Sequence, residues 1–293
     1  MTDKKQLDPR LKDLSLCDEI IAVKCSQPVS EALKLLQSEN IHTVGVLDDF
    51  GDCFVGLLTV FDIMTFLCFR SYRIDQMPEE ISAIKSLDTP VGDIVHVFHE
   101  ETNRIWHFSD SDPISKTFEP FTLGVHQAVV TTSDNKFKFV SQHDVVKFLV
   151  DNERVPHKSL TEVSLASGTH LTTVDPSQSA LFAFRRMEVS HCSALPVVAS
   201  SGRVFSTISA SDVRYVSPDN IGCILQPINK FVETIHGHIE EPLTCFASES
   251  VATVAKKLLS THHRHLWVID SDHKLMNTVT LSDVIQASTT PCK

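Results

Sequence analysis

The sequence predicts a mixed α/β (α+β) fold in which one strand–helix–strand–strand–helix unit is repeated four times. Three observations predict it. A hydroxyl residue, two arbitrary residues and an aspartate recur as Thr59-x-x-Asp62, Ser141-x-x-Asp144, Ser209-x-x-Asp212 and Thr280-x-x-Asp283, the aspartates being 82, 68 and 71 residues apart. A near-constant spacing of this size marks internal repetition. Each motif closes a pair of short apolar runs joined by a turn, and each pair follows a segment with helical periodicity.

In the first unit "SEALKLLQSEN" places Ala32, Leu35 and Leu36 on one helical face. "HTVGVLD" and "FVGLLTV" follow, joined by "DDFGD", and "VFDIMTFLCF" turns helical again. Asp, Asn, Gly and Ser are the turn formers that a hairpin needs. The second unit runs through "HQAVVTT", "TSDNK", "KFKFVSQ" and "HDVVKFLVD". Its first helix, in "SDPISKTFEPFTLG", is weaker because Pro120 and Gly124 interrupt it. The third has "SALFAFRRMEV", "SALPVVA", "SSGR", "VFSTISA" and "SDVRYV"; the fourth has "SVATVAKKLLSTH", "HLWVIDS", "DSDHK", "LMNTVTL" and "SDVIQA".

These limits place a flexible N-terminus at 1–13 and repeats at 14–70, 88–150, 160–217 and 226–289. One unit cannot bury its apolar faces alone, so repeats are expected to pair. Consecutive pairing groups about 14–150 and about 160–289, with the polar link "DNERVPHK" at 151–158 between them.

A chain of 293 residues with 42% hydrophobic content can build one large or two ordinary cores. Net charge is −11, which disfavours a nucleic-acid backbone binder. The eight cysteines are scattered without a C-x-x-C, as in a reduced compartment, cytosolic or nuclear, rather than in a disulfide framework or zinc site. "MTDKKQLDPRLKD" is polar and does not read as a secretory signal; "VGLLTVFDIMTFLCF" is short and broken by Asp62, so no membrane span is expected.

Strand–helix–hairpin–helix units ending in Ser/Thr-x-x-Asp resemble CBS repeats, which associate in Bateman pairs. Four in one chain are similar to the gamma regulatory subunit of the AMPK/SNF1 kinase family, with plant gamma-like proteins as one candidate subgroup. "SALPVVASSGRV" and "HRHLWVIDSDHKLMNTVTLSDVIQA" carry most of this resemblance, and "LGVHQAVV" with "KFL" after Asp144 adds to it. The resemblance implies two Bateman pairs forming a pseudo-symmetric disc with clefts for AMP, ADP or ATP, and a kinase alpha subunit and a beta subunit as partners.

On the residues alone, each motif is a helix N-cap: the hydroxyl accepts a backbone N–H and the acid favours the helix N-terminus. The resemblance adds a second, compatible role, a ribose clamp, for Asp62, Asp144, Asp212 and Asp283, with contacts from Thr59, Ser141, Ser209 and Thr280. It implies phosphate contacts just before the second strand: His42, His126 with Gln127, Ser190 with His191, and Arg264 with His265. Only repeat four keeps an arginine there, in reversed order with its histidine, which implies a weaker or more pH-dependent phosphate pocket. Thr169 and the strand residues Ala194, Leu195 and Pro196 correspond to adenosine-lining positions, although a plain core strand explains the last three equally well.

The cluster of His262, His263 and His265 has no Cys or carboxylate at ligand spacing, so no metal is expected. No phosphate-cradling glycine motif and no nucleophile beside a base is present, so an enzyme is not expected. Two readings stay open: a nucleotide-sensing subunit of a SNF1/AMPK-type Ser/Thr kinase, and a stand-alone sensor of an adenosyl ligand, or a scaffold, regulating a different enzyme.

Overall fold

The computed structural model describes residues 9–16, 20–51, 53–68, 86–95, 106–167, 171–261 and 263–290. Repeat one is β1 (Ala22–Lys24), α1 (Val29–Ser38), β2 (Thr43–Leu47), β3 (Phe54–Thr59) and α2 (Val60–Cys68). Repeat two is β4 (His107–Ser109), α3 (Phe118–Thr122), β5 (Gln127–Thr131), β6 (Phe137–Ser141) and α4 (Gln142–Asp151). Repeat three has α5 (Ala180–Val189), β7 (Ala194–Val198) and β8 (Val204–Ser209), then α6 (Ile228–His236) on the way out. Repeat four is β9 (Thr244–Phe246), α7 (Val251–Thr261), β10 (His265–Ile269), β11 (Leu275–Thr280) and α8 (Leu281–Thr289). The mixed α/β fold is as expected, and the full unit forms in repeats one, two and four, whereas repeat three lacks the first strand and closes in the short 3-10 helix Ala210–Tyr215.

Three repeats form the same three-stranded sheet, with the short first strand parallel to the second and the second antiparallel to the third. Repeat three forms only the β7–β8 pair. In the full sheets a backbone N–H at the third residue of the middle strand donates to the residue ahead of the first strand: Gly45 to Ile21, Val129 to Trp106 and Trp267 to Leu243. The corresponding residue of β7 is Pro196, which has no N–H to give. The first strand is reduced there to a single parallel bridge, Val174 to Val197.

The chain divides into two compact units. An odd unit joins repeats one and three, and an even unit joins repeats two and four. This differs from the consecutive halves 14–150 and 160–289 that the sequence suggests. In the even unit α4, α3 and α7 pack on α8; in the odd unit α2 packs on α5 and on the short 3-10 helix Ala210–Tyr215. Each unit has its own core, through Val44, Ile63, Phe184 and Phe231 in one and Phe121, Val146, Leu258 and Ile285 in the other. On α1 the buried face is Val29, Ala32, Leu33 and Leu36, so Leu33 takes the place expected of Leu35, which is half-buried.

Lead-in segments close the helix N-termini. The first N–H groups of a helix have no partner inside it, and Pro28 and Pro113 offer no side-chain cap. Val29 donates instead to Thr89 O, and Val91 donates back to Gln27 O. The same exchange joins Leu11 to Asp112 and Ile114 to Pro9, Leu160 to Glu249 and Val251 to Lys158, and Ile228 to Gln178 and Ala180 to Gln226. One expectation changes as a result. Of the lead 1–13 expected to be flexible, residues 9–13 are packed, with Leu11 fully buried, while 1–8 lie outside the described residues. The link 151–158 is tied down through Lys158 and through buried Val155.

Candidate functional site

All four Ser/Thr-x-x-Asp motifs stand at the junction of the last strand of a hairpin with the following helix. In each, Oδ2 of the aspartate accepts the backbone N–H of the hydroxyl residue, at 2.8 Å for Asp62, Asp144 and Asp212 and 2.7 Å for Asp283. Thr59, Ser141 and Thr280 also donate their hydroxyls to that oxygen at 2.6–2.7 Å and accept the aspartate N–H in return. The capping role is thus realised in full. Among the described residues Oδ1 of Asp144 and of Asp283 makes no hydrogen bond, so each keeps an acceptor for a ligand hydroxyl.

The hairpin registers align the second set of positions. Thr43 faces Thr59, Gln127 faces Ser141, Ala194 faces Ser209 and His265 faces Thr280. One residue earlier, the carbonyls of His42, His126, Ser193 and Arg264 each receive the first N–H after the motif hydroxyl. Ser193, not His191, is therefore the repeat-three counterpart. His191 is exposed, two residues upstream, in the left-handed conformation that Asn40 adopts after α1. A serine there carries no charge, so Arg264 is the one permanently charged side chain at the four positions.

In the even unit, buried Gln142 organises the neighbourhood. Its Nε2 donates to Phe121 O and to Ser282 Oγ, and Ser282 donates to the same carbonyl. Its Oε1 accepts from His126 Nδ1 at 3.2 Å, which leaves Nε2 of the neutral ring as an acceptor. The start of α4, with Asp144, is thereby tied to the start of α8, with Asp283. His126 retains solvent access, yet the protein around its ring and the Arg264 charge push it down to about 4. Burial, His263 and Arg264 push His265 down to about 4 as well. Charging His265 at pH 7 costs on the order of 4 kcal/mol. Both histidines are neutral beside Arg264, which supplies the local cationic charge.

In the odd unit the chemistry differs. His42 Nδ1 lies 3.2 Å from Ser211 Oγ. Asp212 is buried, and its Oδ1 is 3.1 Å from His236 Nε2 at the end of α6. The His236 ring meets Tyr215 edge-on at 4.8 Å. Arg214, also buried, donates to Ser211 O, Asn40 Oδ1 and Ile41 O and lies over the Tyr215 ring. His236 is raised, chiefly by its hydrogen bond to Asp212, against the opposing effects of burial and Arg214.

Leu195 and Pro196 are buried and Ala194 is half-buried, with Leu195 in the odd core, as a core strand requires. Thr169 lies outside the described residues. His236, Gln142 and Arg214 were not singled out from the sequence. The i, i+1 placement of Gln142 after a motif serine was a local signal, whereas nothing local links His236 to an aspartate 24 residues away. Among the described residues no group of three or more His, Cys, Asp or Glu could hold a metal ion, and no helix is long and apolar enough to cross a membrane.

Comparison with known proteins agrees with the repeat architecture. The chain is 23% identical over 281 residues to the Arabidopsis thaliana SNF1-related protein kinase regulatory subunit gamma-like PV42b, covering 79% of this chain and 74% of that protein. It is 21% identical over 308 residues to Protein SDS23 of Meyerozyma guilliermondii, covering 90% of this chain but only 57% of that protein. It shares its fold, with a TM-score of 0.76 at 18% identity, with a Methanocaldococcus jannaschii protein described as an archaeal homolog of γ-AMPK, over 95% of this chain and 99% of that one. The CBS domain model matches residues 11–68, 164–219 and 232–289, leaving out repeat two, whose α3 is five residues long and runs through Pro120. With more than half of its length matched in this way, the chain belongs to the CBS domain family.

Proposed function

We propose that this protein is an adenine-nucleotide-sensing, gamma-like regulatory subunit of a SNF1/AMPK-type Ser/Thr kinase, and not itself an enzyme. One observation carries the nucleotide reading. In the even unit two capped aspartates, Asp144 and Asp283, each keep an open carboxylate oxygen, and Arg264 stands on the same unit with two neutral histidines. The carboxylates suit vicinal ribose hydroxyls, and the guanidinium suits a phosphate. Similarity to a plant gamma-like protein supports the kinase partner, with a beta-type subunit as the third member. Calorimetry of the purified chain with AMP, ADP, ATP and S-adenosylmethionine tests the ligand. Co-purification with a SNF1-type catalytic subunit tests the complex, and recovery of no kinase subunit would overturn it.

A second reading has its own support. The similarity to Protein SDS23, whose name designates no kinase subunit, extends over 90% of this chain, and the second reading is a regulator of a different enzyme. Nucleotide binding without kinase recovery is the result expected of that reading.

A further inference from the structure

The four motif aspartates are not equivalent, and the difference is made by a residue outside every motif. Asp144 and Asp283 are half-buried, with Oδ1 unengaged among the described residues. Asp212 is buried, and its Oδ1 holds His236 at 3.1 Å. Together with the Oδ2 bond to the Ser209 N–H, this occupies both oxygens. The contact is built: α6 is anchored by Ile228 N–H on Gln178 O and by buried Phe231 and Val232, and it ends at Gly237 in the left-handed conformation. Its last residue is thus delivered to Asp212, and Tyr215 braces the ring from the side.

We infer that His236 is a specificity-determining residue that holds the repeat-three carboxylate, so that a ribose reaches Asp212 only by displacing an internal histidine. This rests on the ribose role proposed above for the motif aspartates. Protonated His236 makes a charge-assisted pair; neutral His236 makes only an ordinary hydrogen bond. Occupancy at Asp212 is therefore suppressed in acid and released as pH rises. The groups facing the ring are Asp212, Glu240 and Arg214, with Tyr215 against its edge. The two carboxylates favour the charged form and Arg214 opposes it.

The test follows amide and histidine-ring NMR signals of the full chain during AMP titration at about pH 6 and about pH 8. At the lower pH, AMP is expected to shift Asp283 and its neighbours while Ser209 and Asp212 stay still. His236→Phe keeps a ring against Tyr215 but removes the hydrogen bond. It should strengthen AMP binding at the Asp212 motif about tenfold or more and flatten its pH dependence. Equal binding at Asp212 at both pH values, or an unchanged Asp212 response in His236→Phe while Asp283 responds, overturns the inference. If AMP moves neither motif, the ribose reading fails, and the His236 titration still decides the contact. A raised midpoint that returns toward the ordinary value in Asp212→Asn upholds it; an ordinary midpoint in the wild type overturns it.

Discussion

The even and odd units are built from the same repeat, yet their polar centres differ. In the even unit a neutral chain, His126–Gln142–Ser282, ties the two helix starts and leaves carboxylate oxygens open. In the odd unit the carboxylate of repeat three is consumed by His236, and Arg214 is spent on Asn40 and Ile41. The scaffold comes from capping and apolar packing, which all four repeats keep; whether a motif carboxylate has an open oxygen depends on one or two side chains delivered from elsewhere. A repeat can therefore retain its motif aspartate without offering it to a ligand.

The largest expected effect tests the odd core that carries α6. Phe231 is fully buried and meets Phe184 edge-on at 5.5 Å. Phe231→Ala should cost about 3–5 kcal/mol in urea unfolding and loosen the α6 amides in hydrogen exchange. A change below about 1 kcal/mol would mean that the helix is not held by this packing.

Next comes Arg264, the one permanent charge at the four positions just before the middle strands. Arg264→Ala should weaken AMP binding by about 1.5–3 kcal/mol, tenfold or more, and adenosine binding little, because adenosine has no phosphate. His42→Ala should matter least. Calorimetry with both ligands checks this, and the opposite order would reassign the phosphate position to the odd unit.

The caps allow a like-for-like comparison. Thr280 with Asp283 and Ser209 with Asp212 both make the reciprocal box, the Ser209 hydroxyl accepting from Ser211 N–H as well, but Thr280 starts a full α-helix. Thr280→Ala should cost about 1 kcal/mol, and Ser209→Ala less, because only a short 3-10 helix follows it. Thermal unfolding of the two variants ranks them.

Acid should separate the units in opposite directions. His236 is raised, so its stabilising contribution is complete below the ordinary histidine value of about 6.5 and is lost as pH rises through its higher folded value. His126 and His265 are lowered to about 4, so stability is lost as pH falls from about 6.5 toward 4. Hydrogen exchange at about pH 5.5 against pH 7.5 should show the even unit losing protection relative to the odd one. The smallest effect is expected for Lys147→Ala, which removes an exposed 2.7 Å pair with Asp151 and should change stability by less than about 0.5 kcal/mol.

Much of the fold was legible in the sequence because its signals are local. The turns "DDFGD" and "DSDHK", the alternating strands and the capping motifs each depend on residues a few positions apart, and the hairpins and helices follow them. Pro120 and Gly124 announced the short α3, and Pro196 accounts for the missing first strand once its register is known. Leu33 rather than Leu35 faces the core because a helical stripe read from one sequence has a width, and the partner element chooses its centre. Of the candidate site, the place of the aspartates at the strand–helix junctions and of Arg264 just before β10 was legible. The site was not legible at His191, which stands two residues upstream of the register position held by Ser193, nor at His236, whose partner is found only after α6 packs.

The sequence by itself determined the repeated unit, its caps and the supply of acidic and basic side chains, since these depend on propensity and periodicity over short spans. Only the tertiary structure decided which repeats share a core, where the lead-in segments dock and which aspartate stays open. The apolar faces of the four units are alike, so composition cannot say which will pair. Burial then sets the polar outcome: a histidine brought against Asp212 is raised, and histidines crowded beside Arg264 are lowered. The residue type is the same, and the surroundings make the difference.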